Sequence, residues 1–168
     1  EGGALDDSVR HAMTKLSHLH FTTNQQATNR IIGLGEEPWR VHTVGFPAID
    51  LIAEGHFANR AEITTQLSLD FSRPLVLFSQ HSVTTEFDEA VKQLEPSLLA
   101  IERLSHQGVQ IIITYPNNDA GGKQIIERLQ EFGGKENKNI QIYPSLGRYI
   151  YHGILALATE TEIRIACA

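Results

Sequence analysis

From residue 75 to the end, short unbroken apolar runs alternate with longer stretches whose apolar residues recur every three or four positions. The runs are "LVLFS" (75–79), "VQIIITY" (109–115), "IQIY" (140–143) and "RIACA" (164–168). A strand with one wet face alternates apolar and polar residues, and a strand covered on both faces does not. Between the runs, residues 85–107, 123–132 and 149–158 carry helical periodicity, the first with Pro96 inside it and a bend expected there. This alternation predicts an α/β fold with a parallel sheet covered by helices on both faces.

Upstream the rhythm is looser. Val9, Met13, Leu16 and Leu19 predict a helix that starts at a cap, Asp6 or Asp7, and runs to about residue 19. "HFTT" reads as a short strand, 24–32 as a second helix and "RVHTV" (40–44) as a strand. Helices are expected over 48–54 and 61–69. Residues 1–47 then form the last part of one α/β domain, 48–72 a helical connection, and 73–168 the opening half of another.

Composition narrows the class. The 168 residues carry a formal charge of −6 and are 41% hydrophobic, enough for a real core. No basic stripe is present to displace counterions, so broad binding to nucleic acid is not expected. One cysteine, Cys167, excludes an internal disulfide and fits a reducing compartment. No apolar stretch is long enough to span a bilayer, and a cytoplasmic protein without a membrane partner is expected. The chain begins without Met and ends on an apolar strand, so it reads as a segment of a longer protein.

Three strand-to-helix connections share a character: "QHSVTTE", "PNNDAGG" and "PSLGR". In a parallel sheet all three lie at the carboxyl edge, where open α/β folds bind ligands. They bring His81, Asn117, Ser145 and an arginine beside small residues and helix N-termini, a combination suited to a phosphorylated, polar ligand. Each loop also has a plainer explanation. Thr85 with Asp88 is a capping-box pair, "NNDAGG" can be a tight turn capped by Asp119, and His81 can be a satisfied polar residue.

In "DDSVRHAMTKLSHLHF" a helix would put Asp7, Arg10, His11 and Thr14 on one face. That face is either a wet surface with an ion pair or a carboxylate base beside a phosphate-binding cation. His18 and His20 form an H-x-H pair with no Cys or acid cluster, so no metal site is expected. "GLGEEP" lacks the third glycine of a dinucleotide fingerprint and puts Pro38 where its helix should run.

Taken together, "DDSVRHAMTKLSHLHF", "RVHTVGFPAID", "QHSVTTE", "YPNNDAGG" and "SLGRYIYHGIL" resemble the hydrolysing UDP-N-acetylglucosamine 2-epimerases, in that family's order and over essentially the whole chain. The resemblance implies a segment of the two-domain glycosyltransferase-B arrangement of Rossmann-like domains. It implies UDP-N-acetylglucosamine as substrate, converted to N-acetylmannosamine and UDP through 2-acetamidoglucal. It also implies a role in sialic-acid or related surface-sugar synthesis. By resemblance, His81 contacts the diphosphate and assists departure of UDP, and Asn117 contacts the nucleotide. Asp7, with Asp6, matches the carboxylate beside the reacting sugar, and Arg10 travels in the same motif. Ser145 is expected among the substrate-binding residues. No metal or other cofactor is required by that scheme, and the full-length parent is expected to be a homo-oligomer.

Glu1 sits too close to Asp7 to match the family's upstream acid and receives no role. The 168 residues alone are expected to be inactive. A UDP-sugar glycosyltransferase of the same fold and a non-catalytic sugar-nucleotide-binding module are the competing readings.

Overall fold

The computed structural model describes residues 5–83, 85–133, 137–158 and 163–167, with the backbone alone for 5, 6 and 163–167. Glu1, Thr84 and Ala168, each part of a sequence expectation, lie outside the described residues. The chain divides into two compact units, Glu1–His56 and Phe57–Ala168.

The first unit contains α1 (Leu5–Leu16), β1 (His20–Thr22), α2 (Gln25–Gly33), β2 (Val41–Thr43) and α3 (Pro47–Ala53). β1 and β2 pair in parallel, His20 opposite Val41. Asn24 caps α2, its side-chain oxygen accepting the Ala27 N–H at 2.9 Å. The hydroxyls of Thr22, Thr28 and Thr43 form a chain, at 2.5 and 2.6 Å, that ties both strands to this helix.

Three expectations are corrected here. α1 ends at Leu16 rather than near residue 19, because the chain must leave the helix to enter β1 at His20. Asp6 and Asp7 therefore stand inside its first turn and are not its caps. β2 starts at Val41, since Pro38 opens a 3₁₀ turn that runs to Arg40. The apolar stripe that predicted α1 faces outward: Val9, Met13 and Leu16 are all exposed.

The second unit holds α4 (Arg60–Leu67), β3 (Leu75–Ser79), α5 (Ala90–His106), β4 (Gln110–Thr114), α6 (Gly122–Gly133), β5 (Ile140–Tyr143), α7 (Gly147–Leu157) and β6 (Ile163–Cys167). The sheet is parallel throughout, in the order β5-β4-β3-β6. Successive residues of a strand point to opposite faces. Leu75 and Leu77 of β3, with Ile112 of β4, therefore pack in one cluster with residues of α4 and α7. Phe78, Ile111 and Ile113 pack in the other, with α5 and α6. Both faces are buried, the physical cause of the unbroken apolar runs.

Right-handed crossovers explain which helix covers which face. Moving from β3 to β4 to β5 puts α5 and α6 on one side. The return from β5 past β3 to β6 reverses direction and puts α7 on the other. The reversal makes a switch point between β3 and β6, at whose carboxyl ends open α/β sheets bind ligands.

The amino edge is closed by side chains. Arg73 donates to the Gly108 carbonyl at 2.6 Å and to Asn139 Oδ1 at 2.7 Å, so the residues leading into β3, β4 and β5 are fastened together. Within this unit the expected capping box at Thr85 does not form. The chain makes a 3₁₀ turn over Phe87–Glu89 without a side-chain cap, and α5 begins only at Ala90. α5 runs through Pro96, whose ring removes one backbone donor from the helix interior.

Candidate functional site

The loops after β3 and β4 are laced to each other. The Asn117 backbone N–H donates to His81 Nδ1 at 3.3 Å, and Ser82 Oγ donates to the Ala120 carbonyl at 2.5 Å. Gly121 is held at φ +89, and an added Cβ there would stand 2.9 Å from that of Ser82. At Gly122 a Cβ would stand 2.6 Å from the Asn117 carbonyl oxygen. Gly121 therefore lets the two loops close on one another, and Gly122 lets the loop after β4 fold back on itself.

That contact orients His81. A nitrogen that accepts a hydrogen bond carries no hydrogen, so Nε2 is the protonated nitrogen of the neutral ring. The imidazole itself is exposed. Asn117 donates its side-chain amide to Asp119 Oδ2 at 2.6 Å, which leaves its carbonyl oxygen as the acceptor.

His81 and Ser145 line one cleft of about 350 Å³ at the carboxyl ends of β3, β4 and β5. Ser79 and Thr114, the last residues of β3 and β4, line it and hydrogen-bond to each other through their hydroxyls. Ser145 Oγ accepts the Gly147 N–H at 3.1 Å at the start of α7. Asn117 lies on a neighbouring pocket of about 410 Å³ with Asp119, Gly121, Gly122 and Lys123. The structure thus brings His81 and Ser145 together directly, and Asn117 to them through its backbone. At the end of β5, burial pushes the Tyr143 phenol above its ordinary range, and its hydroxyl donates to Gln141 Oε1 at 2.5 Å.

Asp7 and Arg10 belong to the first unit, both exposed on α1. Thr14, from the same predicted face, donates its hydroxyl to the Arg10 carbonyl at 3.0 Å. The Asp6 side chain lies outside what the structure describes. The H-x-H pair separates: the His18 ring meets Trp39 edge-on at 5.9 Å, while His20 is buried with Nε2 3.5 Å from Glu36.

Arg148, the arginine of "PSLGR", lines the cleft as well, and so do Tyr151 and His152, which no motif singled out. A signal was available, since Arg148 and His152 are four apart and so share a helix face. It went unread because the helix was expected to begin at Tyr149, which left Arg148 in the loop.

Among the described residues, no helix is long and apolar enough to cross a membrane. The model of the family described as UDP-N-acetylglucosamine 2-epimerase matches residues 1–160. A GDP/UDP-N,N'-diacetylbacillosamine 2-epimerase (hydrolyzing) of Campylobacter jejuni is 30% identical over 93% of this chain and 40% of its own length. A UDP-N-acetylglucosamine 2-epimerase of Neisseria meningitidis is 32% identical over 91% of this chain and 38% of its own. The chain thus spans about two fifths of these curated relatives. Among solved structures, a UDP-N-acetylglucosamine 2-epimerase from Rickettsia bellii superposes with a TM-score of 0.56 at 17% identity, covering 89% of this chain and 38% of that one, a likeness of fold. With the parallel α/β architecture, these matches establish that the chain belongs to the UDP-N-acetylglucosamine 2-epimerase family.

Proposed function

We propose that the protein to which this chain belongs is a hydrolysing UDP-N-acetylglucosamine 2-epimerase, with the nucleotide diphosphate bound at the carboxyl edge of β3, β4 and β5. The observation that carries this reading is the bond from Asn117 N–H to His81 Nδ1, which leaves the Nε2–H of an exposed imidazole to donate beside the switch point.

The chemistry follows from charge. Breaking the anomeric C–O bond leaves an electron pair on the diphosphate and builds positive charge on the sugar ring. His81 stabilises the first by donating from Nε2, and a carboxylate stabilises the second. Asp7, with Asp6, is the proposed base that takes the C2 proton. The C2–H electron pair becomes the C1=C2 bond of 2-acetamidoglucal as UDP departs. Water then adds its oxygen at C1 while C2 takes a proton on the opposite face, giving N-acetylmannosamine. Arg10, Asn117 and Ser145 are the proposed substrate-binding groups, and each well-placed acid or base contributes roughly 10²–10⁴-fold.

The two curated relatives above differ in the sugar their names carry, while UDP stands in both names, beside GDP in one, so the nucleoside diphosphate half of the reading has the broader support. A place in sialic-acid or related surface-sugar synthesis, in the cytoplasm and as a homo-oligomer, belongs to the same proposal. The 168 residues alone are expected to release no UDP.

Incubating the full-length parent with UDP-N-acetylglucosamine in D₂O tests the reaction. UDP release with deuterium at C2 of the product is the expected result. Transfer or hydrolysis of the sugar with C2–H retained would identify a glycosyltransferase-type reaction instead.

A further inference from the structure

His152 lines the same cleft as His81 and follows Arg148 by four residues, so the two stand on one face of α7. Its Nδ1 is buried and has no hydrogen-bond partner. A buried acceptor left bare is tolerated more readily than a buried N–H with nothing to receive it. The ring hydrogen therefore belongs on Nε2. His81 reaches the same tautomer by another route, because its Nδ1 accepts the Asn117 N–H.

The remaining cleft groups point the same way. Ser79 and Thr114 bond to each other, and one hydroxyl hydrogen of the pair remains to be donated. Arg148 carries donors and no acceptor. In a chain of formal charge −6, these side chains form a local concentration of hydrogen-bond donors. A cluster of donors suits a ligand rich in acceptors, which a diphosphate is.

We propose that His152 is a second ligand-positioning imidazole of this cleft, donating from Nε2 to phosphate oxygens of the bound nucleotide. The inference rests on the UDP reading above and adds a residue that no motif in the sequence assigned. It also explains why a histidine stands where burial leaves one of its nitrogens unpaired.

The test is calorimetric titration of UDP into the full chain and three variants. Glutamine at this position carries its amide close to where Nε2 lies, asparagine carries it close to Nδ1, and phenylalanine keeps a ring without an N–H. His152→Phe and His152→Asn should weaken UDP binding about tenfold, the scale of one lost bond to a charged group, while His152→Gln stays within about threefold. The melting temperature without UDP should not fall in His152→Phe, since that variant removes the unpaired nitrogen. A His152→Phe protein that binds UDP as tightly as the parent overturns the inference, as does rescue by asparagine and not glutamine. Should the variants fail to fold, the ¹⁵N resonance of Nε2 of His152 in the parent decides: it moves on addition of UDP, and an unmoved resonance refutes the assignment. A parent chain that does not bind UDP removes the nucleotide reading, and this inference with it. A parent that binds UDP without regard to position 152 removes the role of His152 alone.

Discussion

The backbone N–H of Asn117 donates to Nδ1 of His81 over 3.3 Å, joining loops 36 positions apart in sequence. One bond thereby sets the tautomer of an exposed imidazole and fixes the spacing of two loops at the carboxyl edge of the sheet. No charged partner is needed for either effect.

Replacing that imidazole should disable chemistry without harming the fold. His81→Ala in the full-length parent is expected to lower kcat for UDP release by roughly 10²-fold or more. Because His81 is exposed, the melting temperature should stay within about 1 °C, in line with the small effect of surface substitutions. Steady-state UDP release together with a thermal melt checks both parts, and unchanged turnover would remove His81 from the mechanism.

The loop after β4 depends on an absent side chain. In Gly122→Ala the new Cβ meets the Asn117 carbonyl oxygen at 2.6 Å, a backbone atom that cannot step aside alone. A loss of about 1–3 kcal/mol is expected from overpacking of this kind. The displaced Asn117 should also release His81, so UDP binding should weaken beyond what the stability change explains. Urea unfolding and UDP titration on the same preparation separate the two effects.

Gly153 provides a control on the side of α7 that packs against the approach to α4. A Cβ there would lie 2.3 Å from the Ala58 carbonyl oxygen and 2.9 Å from Ile63 Cδ1, where α7 packs against the start of α4. Gly153→Ala should destabilise the second unit by about 1–3 kcal/mol or more, despite the better helix propensity of alanine. An unchanged urea midpoint would show that the two helices can separate without cost.

An acid-range effect is expected in the first unit. The Lys15 ammonium bonds Glu36 Oε1 at 2.8 Å and holds that carboxyl below its ordinary value of 4.5. The unfolded chain therefore takes up this proton first as pH falls. The stabilisation is present above about 4.5 and is lost as pH drops through the lower folded value. In Lys15→Met the Glu36 carboxyl should titrate closer to 4.5, as followed by NMR of its side-chain carbon. Part of the acid-induced fall in stability should vanish in the same variant.

Much of the second unit was legible along the chain. β3 and β5 occur at the residues expected, and β4 is one residue shorter at each end. Helix starts were less legible, because a start depends on where the preceding strand releases the chain. α7 opens two residues before its expected start, which brought Arg148 from the loop into the helix. α5 opens at Ala90 because the chain first turns through Phe87–Glu89.

Sequence by itself determined the two-faced character of the strands, the parallel α/β class and the residue types of the three carboxyl-edge loops. Those properties are written in near neighbours, since periodicity of two or of about 3.6 needs only a few consecutive residues to declare itself. Tertiary structure alone decided the order β5-β4-β3-β6, the switch point it creates, the bond between Asn117 and His81, and the placing of Arg148 and His152 along one cleft. Each of these depends on contacts between segments tens of residues apart, where burial and backbone pairing, rather than local pattern, choose the partner.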